Sequence, residues 1–170
     1  QAIMAAIAQL EDRNPTPRPL EAAEMLEGNW RLLYTTSAEL LGIDRFPLLK
    51  LGQIYQFIAL RDRKIYNIAE VYGLPYLEGL VSVAAEFEAT SERRVNVRFE
   101  RLILGLQRWV GYRSPSTFIE AIATGKRFAA VDVSIQNRDR MGWLEITYLD
   151  GDMRIGRGNE GNVFVLTKTA

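Results

Sequence analysis

The chain has 170 residues, 48% of them hydrophobic, and balances 21 Lys and Arg against 21 Asp and Glu, so no net field draws it to nucleic acid or to an anionic membrane, and no nucleic-acid partner is expected. It contains no histidine and no cysteine, which removes the usual general base near neutral pH, the Ser-His and Cys-His nucleophile pairs, disulfides and nearly every transition-metal site. No catalytic residue, metal ligand or cofactor is therefore expected, and no apolar run approaches the roughly 18 residues needed to cross a bilayer as a helix, so any membrane contact is expected to be peripheral.

Taken in chain order, the first element predicted is a helix over residues 1–10, with Ile3, Ile7 and Leu10 on one face. It starts without a cap, as expected of a trimmed or processed chain. Asn14-Pro15-Thr16-Pro17-Arg18-Pro19 then reads as a stiff extended linker, because each Pro fixes its own φ and pushes the residue before it out of the helical region. A short helix through Ala22, Ala23, Met25 and Leu26 stops at Gly28. Residues 1–27 are thus expected to form a helical segment with a Pro-rich linker, and residues 28–170 the main domain.

From Asn29 the period becomes mostly two, with strands predicted at 29–36, 53–60, 64–72, 80–90, 94–104, 128–137, 142–149, 153–156 and 162–168. The clearest alternation sets Val81, Val83, Ala85 and Phe87 against Ser82, Ala84, Glu86 and Glu88. One apolar and one wet face is the antiparallel pattern. So many half-buried strands must hide their edges, and closure into an up-and-down barrel does this most simply. The fold expected is mainly β: an antiparallel barrel of eight to nine strands with short flanking helices, able at that size to be filled by side chains or to hold one small ligand.

Two connections are too apolar for ordinary solvated loops. Residues 38–51 carry Leu40, Leu41, Ile43, Phe46, Leu48 and Leu49, and residues 105–125 carry Leu106, Trp109, Val110 and Tyr112. Within the second, Ser114 as N-cap and Pro115 at the first helical position predict a short helix bearing Phe118, Ile119 and Ile122. These segments plug a barrel end, form a lid or touch lipid; Leu40, Leu41, Phe46, Leu106 and Trp109 are the candidate lid or membrane contacts.

The tail offers a misleading motif. Gly156, Gly158 and Gly161 fit G-x-G-x-x-G, but a dinucleotide loop needs a following helix, and residues 162–168 read as a strand. The glycines are better read with Asp150-Gly151 as hairpin turns. Glu86 and Glu88, about 7 Å apart on one strand, suit an inverting glycosidase by separation alone, yet the alternation puts them outside in water.

Gly28-Asn29-Trp30 resembles the G-x-W signature of lipocalins, in which the Trp closes the barrel floor and packs under an Arg from the end of the barrel. Combined with Trp30 through Thr36 and with the tail from Asp152 to Leu166, it is similar to the plastid lipid-associated proteins, also called fibrillins, over Leu26 to Lys168. That resemblance implies a lipocalin-like barrel from a photosynthetic organism, peripheral to thylakoids or lipid globules on the cytoplasmic or stromal side, handling fatty acids, quinones or carotenoids. Lipocalins proper often carry disulfides, so the comparison is to architecture only.

The candidate ligand-binding residues are Trp30, Tyr34, Phe57, Val83, Phe87, Phe99, Tyr148, Arg154 and Arg157. Trp30 is expected first to close the barrel end. Arg154 and Arg157 either meet a lipid head group or are structural, paired with Asp152 or Glu160 or set over Trp30. With Met153 and Ile155 assigned to one face, Arg154 is expected to enter the interior only if a bulge shifts the register. The expected role is non-enzymatic binding or transport of small hydrophobic molecules. The alternative is a structural coat on lipid globules, or a protein-binding scaffold.

Overall fold

The computed structural model describes residues 1–37, 49–73, 75–136 and 141–169. Among these residues are nine antiparallel strands: β1 (Gly28–Thr35), β2 (Lys50–Ala59), β3 (Lys64–Tyr72), β4 (Gly79–Ala89), β5 (Arg94–Leu106), β6 (Val131–Ser134), β7 (Met141–Leu149), β8 (Met153–Gly158) and β9 (Val163–Lys168). Eight close into a barrel in the cyclic order β1-β2-β3-β4-β5-β7-β8-β9. β5 makes the closure and is long enough to serve two partners on one edge: Arg94–Arg98 pair with β7, and Arg101–Leu104 pair with β6. β6 is thus the extra strand that flanks the barrel, and the expectation of a lipocalin-like barrel of eight to nine strands holds. Closure leaves the barrel strands without a free edge.

Among the described residues four α-helices flank the strands: α1 (Ala2–Glu11), α2 (Ala23–Leu26), α3 (Gln107–Val110) and α4 (Pro115–Ala123). α4 starts as its sequence predicts, with Ser114 Oγ accepting from the Thr117 N–H at 3.3 Å. The predicted face of α1 is rotated, since Ile7 packs with Met4 and Leu10 while Ile3 is exposed.

Two faces of the barrel wall are apolar. Phe118, Ile119 and Ile122 of α4 cover Tyr66, Ile68, Leu80, Ala84 and Ile103 on the outside. On another side, α1 lays Ile7 against Tyr148, Ile155 and Val163. Inside, Trp30, Ile58, Ile65, Phe87, Val95, Ile146, Leu149 and Leu166 form the core of one end, capped by Leu20, Ala22, Met25 and Leu26. This is the floor. The other end, where β3 leads to β4 and β5 runs into α3, is the mouth.

Candidate functional site

The floor is built around Trp30, which is fully buried and donates its indole N–H to the Leu26 carbonyl at 2.9 Å. Gly28 makes the approach possible, because its φ of +126° turns the chain from α2 into β1 and is a conformation that other residues rarely adopt. The Arg154 guanidinium carbon lies 5.0 Å from the Trp30 ring centroid and the Lys168 ammonium 5.5 Å from it. Lys168 is anchored by the carbonyls of Glu24 and Met25. Trp30 therefore closes the barrel end, and of the structural roles weighed for Arg154 it is the cation–π contact that is present.

Arg154 points inward without a bulge in its own strand. The β8–β9 register runs unbroken from Met153↔Thr167 to Arg157↔Val163, and Arg154 lies opposite the inward Leu166. The expected facing of β8 is corrected: Met153 and Ile155 turn outward beneath α1. Arg154 is 1% exposed; its guanidinium donates to Gln56 Oε1, while its Nε has no partner among the described residues. Burial pushes its pKa down to about 9, which leaves it charged at neutral pH. Gln56 in turn donates from Nε2 to Asn67 Oδ1 at 2.9 Å. The registers Trp30↔Gln56 and Gln56↔Asn67 put both amides on the inner wall.

A small cavity sits above the cap, walled by Leu26, Ile58, Ile65, Phe87, Val95, Ile146 and their neighbours, with Arg154 its single charged contributor among the described residues. It has room for roughly one water molecule. Higher up, the wall loosens on β4 and β5, while Ala69 and Val71 on the inward row of β3 stay buried. Val81, Val83, Phe99 and Leu102 continue the inward rows of Ala85 and Phe87, yet each is only partly buried, as are Ile54 and Asn67. The lumen thus has a closed floor and an accessible apolar upper wall.

The predicted site residues separate accordingly. Trp30, Val83, Phe87, Phe99 and Arg154 face inward. Phe57 faces outward and packs with the α4 cluster, while Tyr34 and Tyr148 face outward in the α1 cluster, so the expectation that these three line the interior is corrected. Both wall faces are apolar where a helix covers them, which defeats the inference that an aromatic residue in a strand points inward. Arg157 is also outside, with Nε and Nη2 each 2.8 Å from Glu11 of α1, and it is paired there rather than with Asp152 or Glu160. Gln56 and Asn67 are the residues that sequence reasoning missed. Their signal is an amide in an otherwise apolar inward row.

The glycine motif belongs to the β8–β9 hairpin. Gly161 has φ +73° in the turn; a Cβ on Gly156 would lie 3.2 Å from Leu144 Cδ1 and one on Gly158 would lie 3.3 Å from Phe164 Cε2, so both give way to inward side chains. Glu86 lies on the outer face with Arg98.

Leu106 continues the row of Leu102 and Leu104 at the mouth, and Trp109 of α3 is 61% exposed there. Around them stand Leu49, Tyr72, Tyr76, Leu77, Leu104, Val131 and Val133, all exposed, with Tyr76 at 77%. Lys50, Arg108 and Arg113 are exposed nearby and make no ion pair among the described residues. Leu40, Leu41 and Phe46 lie outside the described residues.

A floor sealed by a buried Trp under an Arg, an accessible apolar wall above it and an exposed apolar mouth define a lipocalin-like barrel. The family model PAP_fibrillin matches residues 1–167, and the chain belongs to that family. It is 33% identical over 98% of its length to the chromoplast-specific carotenoid-associated protein of Cucumis sativus, and 34% identical over 95% to plastoglobulin-1 of Pisum sativum. It is 32% identical over 95% of its length to the probable plastid-lipid-associated protein 2 of Arabidopsis thaliana. The chain spans 59%, 52% and 61% of these three relatives. No solved structure matches it.

Proposed function

We propose that this protein binds or carries small hydrophobic or amphipathic molecules of the fatty acid, quinone or carotenoid class at lipid-globule or thylakoid surfaces, without catalysis. The observation that carries this reading is the run of partly exposed inward residues, Val81, Val83, Phe99 and Leu102, leading to the exposed mouth residues Leu104 and Trp109. Apolar burial along that wall supplies affinity at about 25 cal/mol per Å2. The names of the relatives, which speak of plastid lipid, plastoglobulin and carotenoid association, support a lipid surface; the side belongs to the proposal, stromal in a plastid and cytoplasmic in a cyanobacterium.

The test is titration of delipidated protein with palmitic acid, decylplastoquinone and β-carotene while intrinsic Trp fluorescence is followed. Saturable quenching or enhancement by at least one is expected; no saturable response to any of them would sink the carrier reading. The tightly filled floor favours a second reading, a coat that adheres by its mouth alone. Vesicle experiments separate the two, because a carrier moves labelled lipid from donor to acceptor vesicles and a coat floats with vesicles without moving it.

A further inference from the structure

A guanidinium in an apolar barrel ordinarily meets a carboxylate, because an unpaired buried charge forfeits its hydration. Among the described residues Arg154 meets none: its neighbours at the floor are Trp30 and the neutral amide of Gln56, and its Nε is left without an acceptor. Leu26, Ile58, Ile65 and Phe87 supply only hydrocarbon to the cavity it borders. Trp30 offers its ring face, a weak partner compared with an anion. The charge is therefore held in place and left uncompensated.

The polar groups beside it are arranged in line. Arg154 donates to Gln56, Gln56 donates to Asn67, and Asn67 lies on the partly exposed upper wall. These amides form a hydrogen-bonding strip between the accessible region and the charge, which itself borders only a water-sized cavity, so a ligand head group reaches it by displacing floor side chains.

Resting on the lumen-binding reading above, we propose that the lumen takes a single-chain carboxylic acid with its head group down, the carboxylate on Arg154 beside Gln56 and the alkyl chain rising along Val83, Phe99 and Leu102 to the mouth. A monoanion matches the one unpaired cation. A phosphate dianion would remain half compensated, since Lys168 already donates to the carbonyls of Glu24 and Met25. A planar carboxylate also suits the fork of guanidinium donors.

The test uses the delipidated full chain and calorimetric titration with palmitic acid, methyl palmitate and a single-chain lysophosphatidic acid. Palmitic acid is expected to bind ~10-fold more tightly than its ester, the scale of one charge-assisted contact. Arg154→Met is expected to bring that ratio close to one while retaining the ester. If Arg154→Met does not fold, Gln56→Leu replaces it, and an undiminished acid preference in that variant overturns the assignment. Equal binding of acid and ester by the unaltered protein overturns the head-group site and leaves lumen binding standing. Tighter binding of the phosphate overturns the carboxylate assignment. Failure of all three to bind removes the single-chain ligand, and the quinone and carotenoid titrations then decide the wider reading.

Discussion

At the residue scale, Trp30 and Arg154 do different work although they touch. Trp30 holds the floor: it is fully buried, bonds the Leu26 carbonyl and underlies two cations. Trp30→Ala is expected to cost about 3–5 kcal/mol of stability, because it removes a large buried ring and leaves a void that the β-barrel cannot close over. Urea denaturation measures this, and a loss under 1 kcal/mol would show that Trp30 is not structural. The G-x-W tripeptide makes the role of Trp30 legible in the sequence, since a tight turn followed by a large buried ring is a local device. Arg157 was illegible for the opposite reason. Its partner, Glu11, stands 146 residues away on a helix whose packing site no local pattern specifies.

At the scale of elements, the nine strands were legible because alternation and turn residues are local signals, and the predicted ranges differ from the observed strands mainly at their ends. Facing was less so. β3 reads Ile65-Tyr66-Asn67-Ile68-Ala69, apolar on both sides except for Asn67, because its inner face meets the lumen and its outer face meets α4. β6 was predicted as a full strand from Phe128, yet only Val131–Ser134 pairs, since the residues before it are turned toward α4 and held there. Asp132 does the holding. It accepts from Arg101 Nε at 2.8 Å and Nη2 at 2.7 Å, from Arg127 at 3.1 Å and from the Phe128 N–H at 3.0 Å. The Arg101 hydrogen bonds, aided by that of Phe128, draw the carboxyl down to about 2. A carboxylate whose pKa is lower in the folded protein than in the unfolded chain stabilises the fold above the unfolded value near 4, and that contribution fades as pH falls toward 2. Asp132→Asn is thus expected to lower stability at pH 7 by on the order of 1–2 kcal/mol, with the gap to the parent narrowing below pH 4. Denaturant curves at pH 7 and pH 2.5 check this; an equal gap at both would mean that the charge contributes nothing.

At the scale of the whole molecule, the apolar surface is polarised. Of the ten large apolar side chains exposed among the described residues, eight surround the mouth and only Ile3 and Leu33 lie elsewhere. Scattered apolar residues need no explanation on a soluble surface, but a cluster rimmed by Lys50, Arg108 and Arg113 fits the edge of an anionic lipid layer. Trp109 and Tyr76 have the amphipathic rings that favour such an interface. Docked this way, the lumen would open into the lipid, and under the proposed carrier role a ligand would exchange without crossing water. Removing both rings tests the orientation without touching the core, because each is more than half exposed. Trp109→Glu with Tyr76→Glu is expected to lower the fraction of protein floating with anionic vesicles at least about tenfold, since each ring withdrawn from the interface forfeits ~1.5–3 kcal/mol and the added carboxylates repel the surface. Ile3→Glu, on the outer helix α1, is the control and is expected to float like the parent. Flotation lost with Ile3→Glu but kept with the mouth variant would place the lipid contact on α1, and the lumen would then open toward water.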